Sequence, residues 1–325
     1  MKKIISALVL TGLLLAGCGA DPPAPTTFPT ETASQSVPGE STGCRFTDDL
    51  GRTVTLDRVP SRVVSLLGSY ADLWNLAGGT SVAAPDDAWD DYRLEMPADA
   101  VNLGGTKHLS LEAVLAAEPD FILASSRTKS HLEWQSTLEA SGIPVAYFEV
   151  TGFADYLHML QICTEILGTP DRYETYGTAV QAQIDEAVAD SEARLTDSEA
   201  PKILHMRMSA SGLRVKNSEG NVLGEMARAL GCVNIADSDA TLLENLSMEH
   251  ILVQDPDYIL LVQQGDDTEG ARKILDRFIA ENPAWQELSA VRNDRVLILD
   301  KRLFSLKPNA LWGEAYLQLE RLLSE

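Results

Sequence analysis

The sequence predicts an α/β protein in which two similar lobes are joined by one long helix. Short apolar runs alternate with segments of helical period, and one motif of fifteen residues occurs twice. Such alternation is typical of layered α/β folds with largely parallel sheets. A hairpin over residues 46–56, turning at Asp49-Leu50-Gly51, is predicted to come first. The runs that read as buried strands are Val63–Leu66, Phe121–Ala124, Val145–Phe148, Ile203–Met206, Tyr258–Val262 and Val296–Leu299.

The repeated motif predicts the two lobes. It reads LSLEAVLAAEPDFIL at residues 109–123 and LSMEHILVQDPDYIL at residues 246–260, with eight of fifteen positions identical. Each copy reads as a short helix, a Pro-Asp stop and a buried strand, with Ser110 or Ser247 placed to cap the helix. The copies lie 137 residues apart, which is too far for a solenoid repeat. We therefore expect one copy in each lobe.

A long helix is predicted between the two copies. Residues 171–195 contain no Pro and one Gly, and their apolar side chains recur with helical spacing. At about 1.5 Å rise per residue such a helix is roughly 37 Å long. Its length and position favour a spine between the lobes over an ordinary surface helix. The last helix is predicted to start near Asn309, with this side chain as its cap.

The start of the chain has the pattern of a lipoprotein signal. Lys2 and Lys3 precede a short apolar run, and Leu-Ala-Gly stands directly before Cys18. A basic start, a short apolar stretch and small residues before the cut are typical of a signal peptide. The motif at the cut resembles the bacterial lipobox, in which the Cys carries a lipid. We expect lipidation at Cys18, and a plain signal peptide is the alternative.

The segment after Cys18 is expected to be a disordered, extended tether, because it scatters Pro among Thr, Ser and Glu and cannot bury a core. The predicted organisation is a signal peptide at 1–17, the lipidated Cys and tether at 18–44, an N-terminal lobe at 45–168, an inter-lobe helix at 169–197 and a C-terminal lobe at 198–325.

Composition excludes several classes of partner. The formal net charge of −22 at pH 7 argues against binding to nucleic acid through general electrostatics.

The cysteines indicate no disulfide framework, because Cys44, Cys163 and Cys232 are odd in number and widely spaced. No two of them have metal-ligand spacing, and we expect neither a bound metal nor a cofactor. Cys163 and Cys232 are expected to be buried, whereas Cys44 has no assigned role.

Several segments together carry a family resemblance. FTDDLGRTVTLDRVPSRVVSLLGSYADLWNLAG at residues 46–78, the two repeat copies, ALGCVNIAD at 229–237 and NPAWQELSAVRNDRVLILD at 282–300 resemble the iron-siderophore, haem and cobalamin family of ABC-importer substrate-binding proteins. The resemblance implies two Rossmann-like lobes joined by a single rigid helix, with the ligand in the cleft between them. It also implies little hinge motion. One departure is Asp72, where the family usually has Glu.

The resemblance implies partners as well as a fold. In this family a glutamate on each lobe docks onto arginines of the permease dimer, and the matching residues here are Glu112 and Glu249, at the same place in the two repeat copies. A glutamate in the first turn of a helix also complements the helix dipole. The expected partners are an ABC permease dimer with its ATPase, a small-molecule metal chelate, and the membrane through the lipid anchor. The protein is expected to act as a monomer outside the cytoplasm.

The candidate ligand-binding residues follow the predicted strands, because ligands of open parallel sheets lie beyond the carboxyl ends of the strands. Ferric chelates are often anionic, and Arg presents a planar fork of donors to their oxygens. Aromatic side chains suit the flat apolar parts of such ligands. The candidates are Tyr70, Trp89, Arg93, Arg127, Arg207, Arg214, Arg302 and Phe304.

Other functions stay open at this stage. A haem receptor needs an axial iron ligand, for which Tyr70 or His205 is available, and a cobalamin receptor of the same family is a further alternative. Direct zinc or manganese binding is disfavoured because the five His are scattered. Hydrolase, phosphate-loop and zinc-protease motifs are missing from the sequence, so an enzyme is not expected, and an exported α/β hydrolase is the enzyme alternative. A scaffold without a ligand is the last alternative.

Overall fold

The computed structural model describes residues 43–324. The predicted signal peptide at 1–17, the lipidation of Cys18 and nearly all of the tether lie outside these residues. The fold begins with strands β1 (Cys44–Thr47) and β2 (Thr53–Leu56), which form the predicted antiparallel hairpin. The carboxylate of Asp48 accepts hydrogen bonds from the backbone N–H groups of Leu50 and Arg52 and so closes the turn.

The N-terminal lobe is a five-stranded parallel sheet in the order β5-β4-β3-β6-β7. The three predicted strands form its centre and one edge, and two short strands complete the other edge. The strands are β3 (Val63–Ser65), β4 (Ser81–Ala84), β5 (Val101–Asn102), β6 (Phe121–Ser125) and β7 (Val145–Phe148). The helices are α1 (Gly68–Leu76), α2 (Asp87–Asp90), α3 (Leu111–Ala116), α4 (Lys129–Glu133) and α5 (Gln135–Ala140).

The connection between the lobes is a helix that runs without interruption from residue 170 to residue 195. It follows α6 (Phe153–Leu167) and consists of α7 (Pro170–Tyr173), a π-helical turn at Glu174–Thr178 and α8 (Ala179–Leu195). The π-helical turn packs closely, because a Cβ on Gly177 would lie 3.1 Å from the side chain of Leu157. The predicted inter-lobe helix is therefore confirmed, with one wider turn that its sequence pattern does not reveal.

The C-terminal lobe has parallel strands in the order β10-β8-β11-β12, with β9 antiparallel to β8. Its strands are β8 (Lys202–Ser209), β9 (Gly212–Val215), β10 (Val233–Asn234), β11 (Tyr258–Gln263) and β12 (Val296–Leu299). Its helices are α9 (Val222–Ala229), α10 (Ala240–Glu244), α11 (Met248–Gln254), α12 (Thr268–Glu281), α13 (Ser289–Arg292), α14 (Lys301–Phe304) and α15 (Trp312–Ser324), with 3₁₀ turns at 235–237, 283–287 and 309–311.

The two copies of the repeat occupy equivalent places in the two lobes. Each forms a helix, α3 or α11, followed by a central strand, β6 or β11. The carboxylate of Asp120 accepts hydrogen bonds from the N–H groups of Ser61 and Arg62 just before β3, and that of Asp257 accepts one from Lys202 at the start of β8. The repeated Pro-Asp therefore fixes where the neighbouring strand begins in each lobe.

The predicted helix caps were partly wrong. Ser110 caps α3 by accepting a hydrogen bond from Ala113 N at 3.3 Å, whereas the side chain of Ser247 makes no such bond to α11. Asn309 does not cap the last helix. It adopts φ 55°, is fully buried, and donates to Ser69 O and to Asp72 Oδ2, both at 2.8 Å. A tertiary partner far away in sequence has replaced the local one.

One hydrophobic core extends through both lobes. Its members include Phe121 and Phe148 of the first sheet, Ile184 of α8, Leu260 of the second sheet and Trp312 of α15. Each sheet also has a separate core on its other face. The lobes thus share an interior, which opposes hinge motion because close-packed interiors resist deformation. Cys163 and Cys232 are free and buried as expected, and Cys44 is free and half-buried.

His205 on β8 makes the stability of this fold sensitive to acid. It is completely buried, neither ring nitrogen has a hydrogen-bond partner among residues 43–324, and burial lowers its pKa to about 3. Because the unfolded chain binds the proton at about pH 6.5, this group lowers the free energy of unfolding as the pH falls below that value, by about 2 kcal/mol at pH 5.

We expect His205→Leu to reduce the difference in the free energy of unfolding between pH 7.5 and pH 5 by about 2 kcal/mol, as measured by urea denaturation. The exposed His108 provides the matched control, and His108→Leu should leave that difference unchanged. An equal pH dependence in His205→Leu and the unsubstituted protein would show that His205 is not held neutral by burial.

Candidate ligand-binding site

A cavity of about 290 Å³ lies where elements of both lobes meet. The N-terminal lobe contributes residues that follow the carboxyl ends of its strands, and the C-terminal lobe contributes β8, the start of α9 and the chain after α14. This is the edge at which open parallel sheets bind their ligands. The uncharged lining residues are Leu67, Ser69, Tyr70, Tyr92, Thr106, Ser125, Val150, Thr151, Gly220, Asn221, Val222, Ser305 and Leu306.

Two arginines reach the cavity from opposite lobes. Arg127 follows β6, is mostly exposed, and forms a salt bridge of 3.0 Å with Glu149. Arg207 lies within β8, and its buried Nε has no hydrogen-bond partner within residues 43–324. Burial lowers the pKa of Arg207. An unpaired buried donor is unfavourable for the fold.

Lys307 is a third cation in the cavity, and its ammonium lies 5.7 Å from the centre of the Tyr70 ring. No carboxylate of the described chain lies within salt-bridge distance of the Lys307 Nζ. Burial lowers the pKa of Lys307, the positive charge of Arg207 acts in the same direction, and the negative charge of Asp87 opposes both.

Asp87 is the one carboxylate among the described residues that line the cavity. Its Oδ1 accepts a hydrogen bond of 3.0 Å from the N–H of Gly68, the first residue of α1, and so satisfies a donor that the helix leaves open. The approach requires glycine, because a Cβ on Gly68 would lie 2.7 Å from the Asp87 carboxylate. The pKa of Asp87 is raised to about 6, mainly by burial; Asp86 and Asp91 act in the same direction, while the Gly68 N–H and Lys307 oppose the rise.

Residues 301–309, which we call the inter-lobe segment, connect the C-terminal lobe to the N-terminal lobe beside the cavity. Arg302 forms a 3.2 Å salt bridge with Asp72, donates to Lys307 O and Pro308 O, and lies over the Tyr92 ring at 4.3 Å. Asn309 donates to the same Asp72 oxygen as Arg302. Lys301 forms salt bridges with Asp91 at 2.8 Å and Asp266 at 2.7 Å.

Three of the eight sequence-predicted ligand residues line the cavity, namely Tyr70, Arg127 and Arg207. Tyr70 is almost fully buried and donates its hydroxyl to Phe148 O at 2.7 Å, so it presents only part of its ring. Arg207 does not follow its strand as expected, because β8 continues to Ser209 before it turns into β9.

The other five predicted ligand residues lie outside this cavity. Trp89 packs beside the small cluster of Ala71, Ala84 and Ala88. Arg93 and Arg214 are exposed, and Arg214 lies opposite Arg207 on β9. Arg302 uses its guanidinium for the inter-lobe contacts. Phe304 is buried in the shared core.

The sequence reasoning missed Asp87 and Lys307. Asp87 belongs to a four-residue helix within an acidic stretch, and Lys307 stands between a short helix and a 3₁₀ turn. Neither residue has a periodic pattern around it. The only available signal was the general rule that residues after a strand or at a helix start face the ligand edge.

Neither of the two iron-ligating alternatives presents a free ligand atom to the cavity. His205 is fully buried and does not line the cavity, and the Tyr70 hydroxyl is occupied by Phe148 O. Among residues 43–324 no cluster of His, Cys, Asp and Glu has the arrangement of a metal site.

Glu112 and Glu249, which were predicted to dock onto the permease, are both exposed, each in the first turn of its helix. The Ser110 hydroxyl donates to the Glu112 carboxylate and lowers its pKa.

Comparison with known proteins identifies the family. The chain belongs to the periplasmic binding protein family, whose model matches residues 63–303. Members of this family are extracytoplasmic substrate-binding components of ABC importers, so the protein binds and delivers a solute and is not an enzyme. The family predicted from the sequence is thereby confirmed.

Solved structures share the fold at low sequence identity. The periplasmic haem-binding protein RhuT from Roseiflexus sp. RS-1 is 22% identical with a TM-score of 0.64, over 81% of this chain and 97% of its own. SirA of Staphylococcus aureus, solved with staphyloferrin B, is 20% identical with a TM-score of 0.63, over 86% and 97%. IsdE of S. aureus, solved with haem, is 17% identical with a TM-score of 0.66, over 81% and 99%. At these identities the likeness establishes the two-lobed fold alone.

The curated proteins compared with the chain contain no significant match. Within residues 43–324, none of the helices has the length and apolar character needed to cross a membrane.

Proposed function

We propose that this protein captures an anionic ferric siderophore outside the cytoplasm and delivers it to an ABC permease. The observation that carries the proposal is the cavity between the lobes, in which Arg127, Arg207 and Lys307 face one carboxylate. The chain as a whole is strongly acidic, with a net charge of −22, so a group of cations around one cavity differs from its overall composition. Arg127 is paired with Glu149, whereas Arg207 and Lys307 form no salt bridge within residues 43–324. Cations of the second kind are suited to a ligand that brings negative oxygens.

The cavity favours a siderophore over haem. Haem iron in proteins is held by an axial side chain such as His, Tyr, Cys or Met. Among residues 43–324 no His, Cys or Met lines the cavity, and the hydroxyls of Tyr70 and Tyr92 donate to Phe148 O and Lys307 O. A siderophore coordinates its own iron, so the receptor needs only to bind the chelate from outside. RhuT is named a haem-binding protein, IsdE was solved with haem and SirA was solved with staphyloferrin B, so more than one ligand occurs on this fold.

Lipid anchoring through Cys18 belongs to the same proposal. The Leu-Ala-Gly-Cys motif after a basic and apolar start supports attachment at the membrane, and the segment that follows provides a tether. The anchor keeps the receptor near its permease, because the negative charge of the chain gives it no attraction to anionic lipid. We further propose that the protein works as a monomer.

The ligand assignment is tested by isothermal titration calorimetry with ferric citrate, a ferric trihydroxamate, haem and cobalamin. We expect the anionic ferric carboxylate to bind most tightly, and Arg207→Met to weaken it at least tenfold, since truncating one partner of a buried charge pair costs about 2–5 kcal/mol. The exposed Arg214→Met is the matched control and should retain affinity. Preferential binding of haem or cobalamin, or no effect of Arg207→Met, would contradict the assignment.

Docking to the permease is proposed to use Glu112 and Glu249. The repeat places one on each lobe, both are exposed, and both leave the ligand cavity untouched. Val253 lies one helical turn beyond Glu249, on the same face of α11, and is 80% exposed. A charged side chain next to an uncovered apolar one is suited to a contact surface on another protein.

We expect the double substitution Glu112→Ala, Glu249→Ala to leave ferric-ligand affinity unchanged and to reduce uptake of ⁵⁵Fe into cells at least tenfold. The reason is that buried interfacial charge pairs contribute about 1.5 kcal/mol or more each. The matched control is Glu133→Ala with Glu281→Ala, one exposed helical glutamate from each lobe. Unchanged uptake by the first double variant, at equal surface levels, would remove the docking assignment.

A further inference from the structure

Lys307 has an unusual environment for a lysine. Its backbone carbonyl is fixed by hydrogen bonds from the Tyr92 hydroxyl at 3.1 Å and from Arg302 Nη1 at 2.9 Å. Its side chain enters the cavity and its ammonium lies over the Tyr70 ring. These hydrogen bonds to the backbone fix the position of Lys307, and the charge of its side chain is not needed for that.

The charge at Lys307 does not serve the fold. Taking an ammonium out of water without a paired carboxylate is unfavourable, and an apolar residue of similar size is less costly there. Arg207, which also lines the cavity, adds a second positive charge and makes the position still less favourable for Lys307. Two cations held at one cavity require an anion nearby, and the cavity is where such an anion can bind.

Asp87 acts as a partial substitute for that counter-ion. It is held at the start of α1 by Gly68 N–H, and its charge attracts Lys307 without forming a salt bridge. The groups that face Asp87 are Gly68 N–H of α1, Lys307 of the inter-lobe segment, Tyr92, and Asp86 and Asp91 on its own stretch of chain. The two acidic neighbours make the negative charge of Asp87 costly, so the carboxylate is a weak competitor for Lys307.

We propose that Lys307 is a ligand-binding residue that pairs with an anionic oxygen of the captured chelate, and that this oxygen replaces the more distant charge of Asp87 as the main counter-charge of the ammonium. The ligand class is accordingly a ferric chelate with carboxylate or similar oxygens that stay free of the iron. The inference rests on the proposed function for the nature of the ligand, and it adds the residue that selects the charge.

The displacement makes binding depend on pH in a defined direction. Because the pKa of Asp87 is about 6, the carboxylate is charged at pH 8 and competes with the ligand, whereas at pH 5 it is mostly neutral and does not. Affinity for an anionic chelate therefore increases as the pH falls through 6. Asp87→Asn removes the competing charge and keeps an acceptor for Gly68 N–H.

The test uses the full protein and ferric citrate as the probe, with dissociation constants measured by calorimetry at pH 5 and pH 8. We expect Lys307→Met to weaken binding at least tenfold while its Tm stays the same or rises. We expect Asp87→Asn to bind several-fold more tightly than the unsubstituted protein at pH 8 and equally at pH 5. Comparing two proteins at one pH cancels changes in the ferric citrate itself.

Matched controls separate the cavity from general charge effects. Lys273→Met removes an exposed lysine of α12, and Asp90→Asn removes an exposed carboxylate of α2. Both should leave the dissociation constant unchanged.

The possible failures are distinguishable. If the unsubstituted protein binds neither ferric citrate nor any other anionic chelate, the proposed function is overturned. If it binds and Lys307→Met binds equally well, the assignment of Lys307 is overturned while the proposed function stands. A large fall in Tm for Lys307→Met without ligand would show that the ammonium serves the fold, and would overturn the inference independently of any ligand.

Discussion

The contact of Asp72 with Arg302 and Asn309 is the constraint on which the site depends. Asp72 belongs to α1 of the N-terminal lobe and is nearly buried, so its carboxylate needs partners, and both come from the inter-lobe segment of the other lobe. Burial raises the pKa of Asp72, while Asn309 and Arg302 oppose that rise. Removing one partner of such a group leaves a polar atom unsatisfied, which costs more than the bond itself contributes.

This contact also explains why the cavity exists before a ligand arrives. The same segment that binds Asp72 carries Lys307 to the cavity, and α1, which carries Asp72, contributes Ser69 and Tyr70 to the cavity lining. The shared core beneath holds the two sheets together. Arg207 and Lys307 thus both line the cavity without a salt bridge to any carboxylate of residues 43–324, and a bound anion relieves the unfavourable free energy of that arrangement. Preorganisation of this kind raises affinity because fewer side chains and loops lose conformational entropy when the ligand binds.

The sequence predicted those features that repeat or have a period. The two Pro-Asp motifs, the central strands and the helix predicted over 171–195 follow from local patterns, and Asp120 and Asp257 make matching hydrogen bonds in the two lobes. Arg127 and Arg207 could be proposed because each lies at or near the end of an apolar strand. These predictions needed only short-range information.

The features that were missed depend on contacts between distant residues. Asp72 and Asn309 are 237 residues apart. Local sequence therefore predicts a helix cap at Asn309, whereas the side chain instead forms a tertiary contact. Arg302 and Phe304 were predicted to bind the ligand because they follow β12. In the structure Arg302 binds Asp72 and Phe304 lies in the core. Asp87 and Lys307 come together only because the inter-lobe segment crosses to α1 and α2, and no pattern within either segment indicates that crossing.

The central claim is that the cleft is built and charged before the ligand binds, and a distance measurement between the lobes tests it most directly. Spin labels at the exposed positions Lys129 and Lys273, in a protein with Cys44→Ser, report that distance by pulsed electron resonance. Gallium(III) citrate serves as a diamagnetic anionic chelate. The account predicts a narrow distribution that shifts by less than about 1 Å on saturation, whereas a shift of more than about 2 Å would show hinge closure and contradict it.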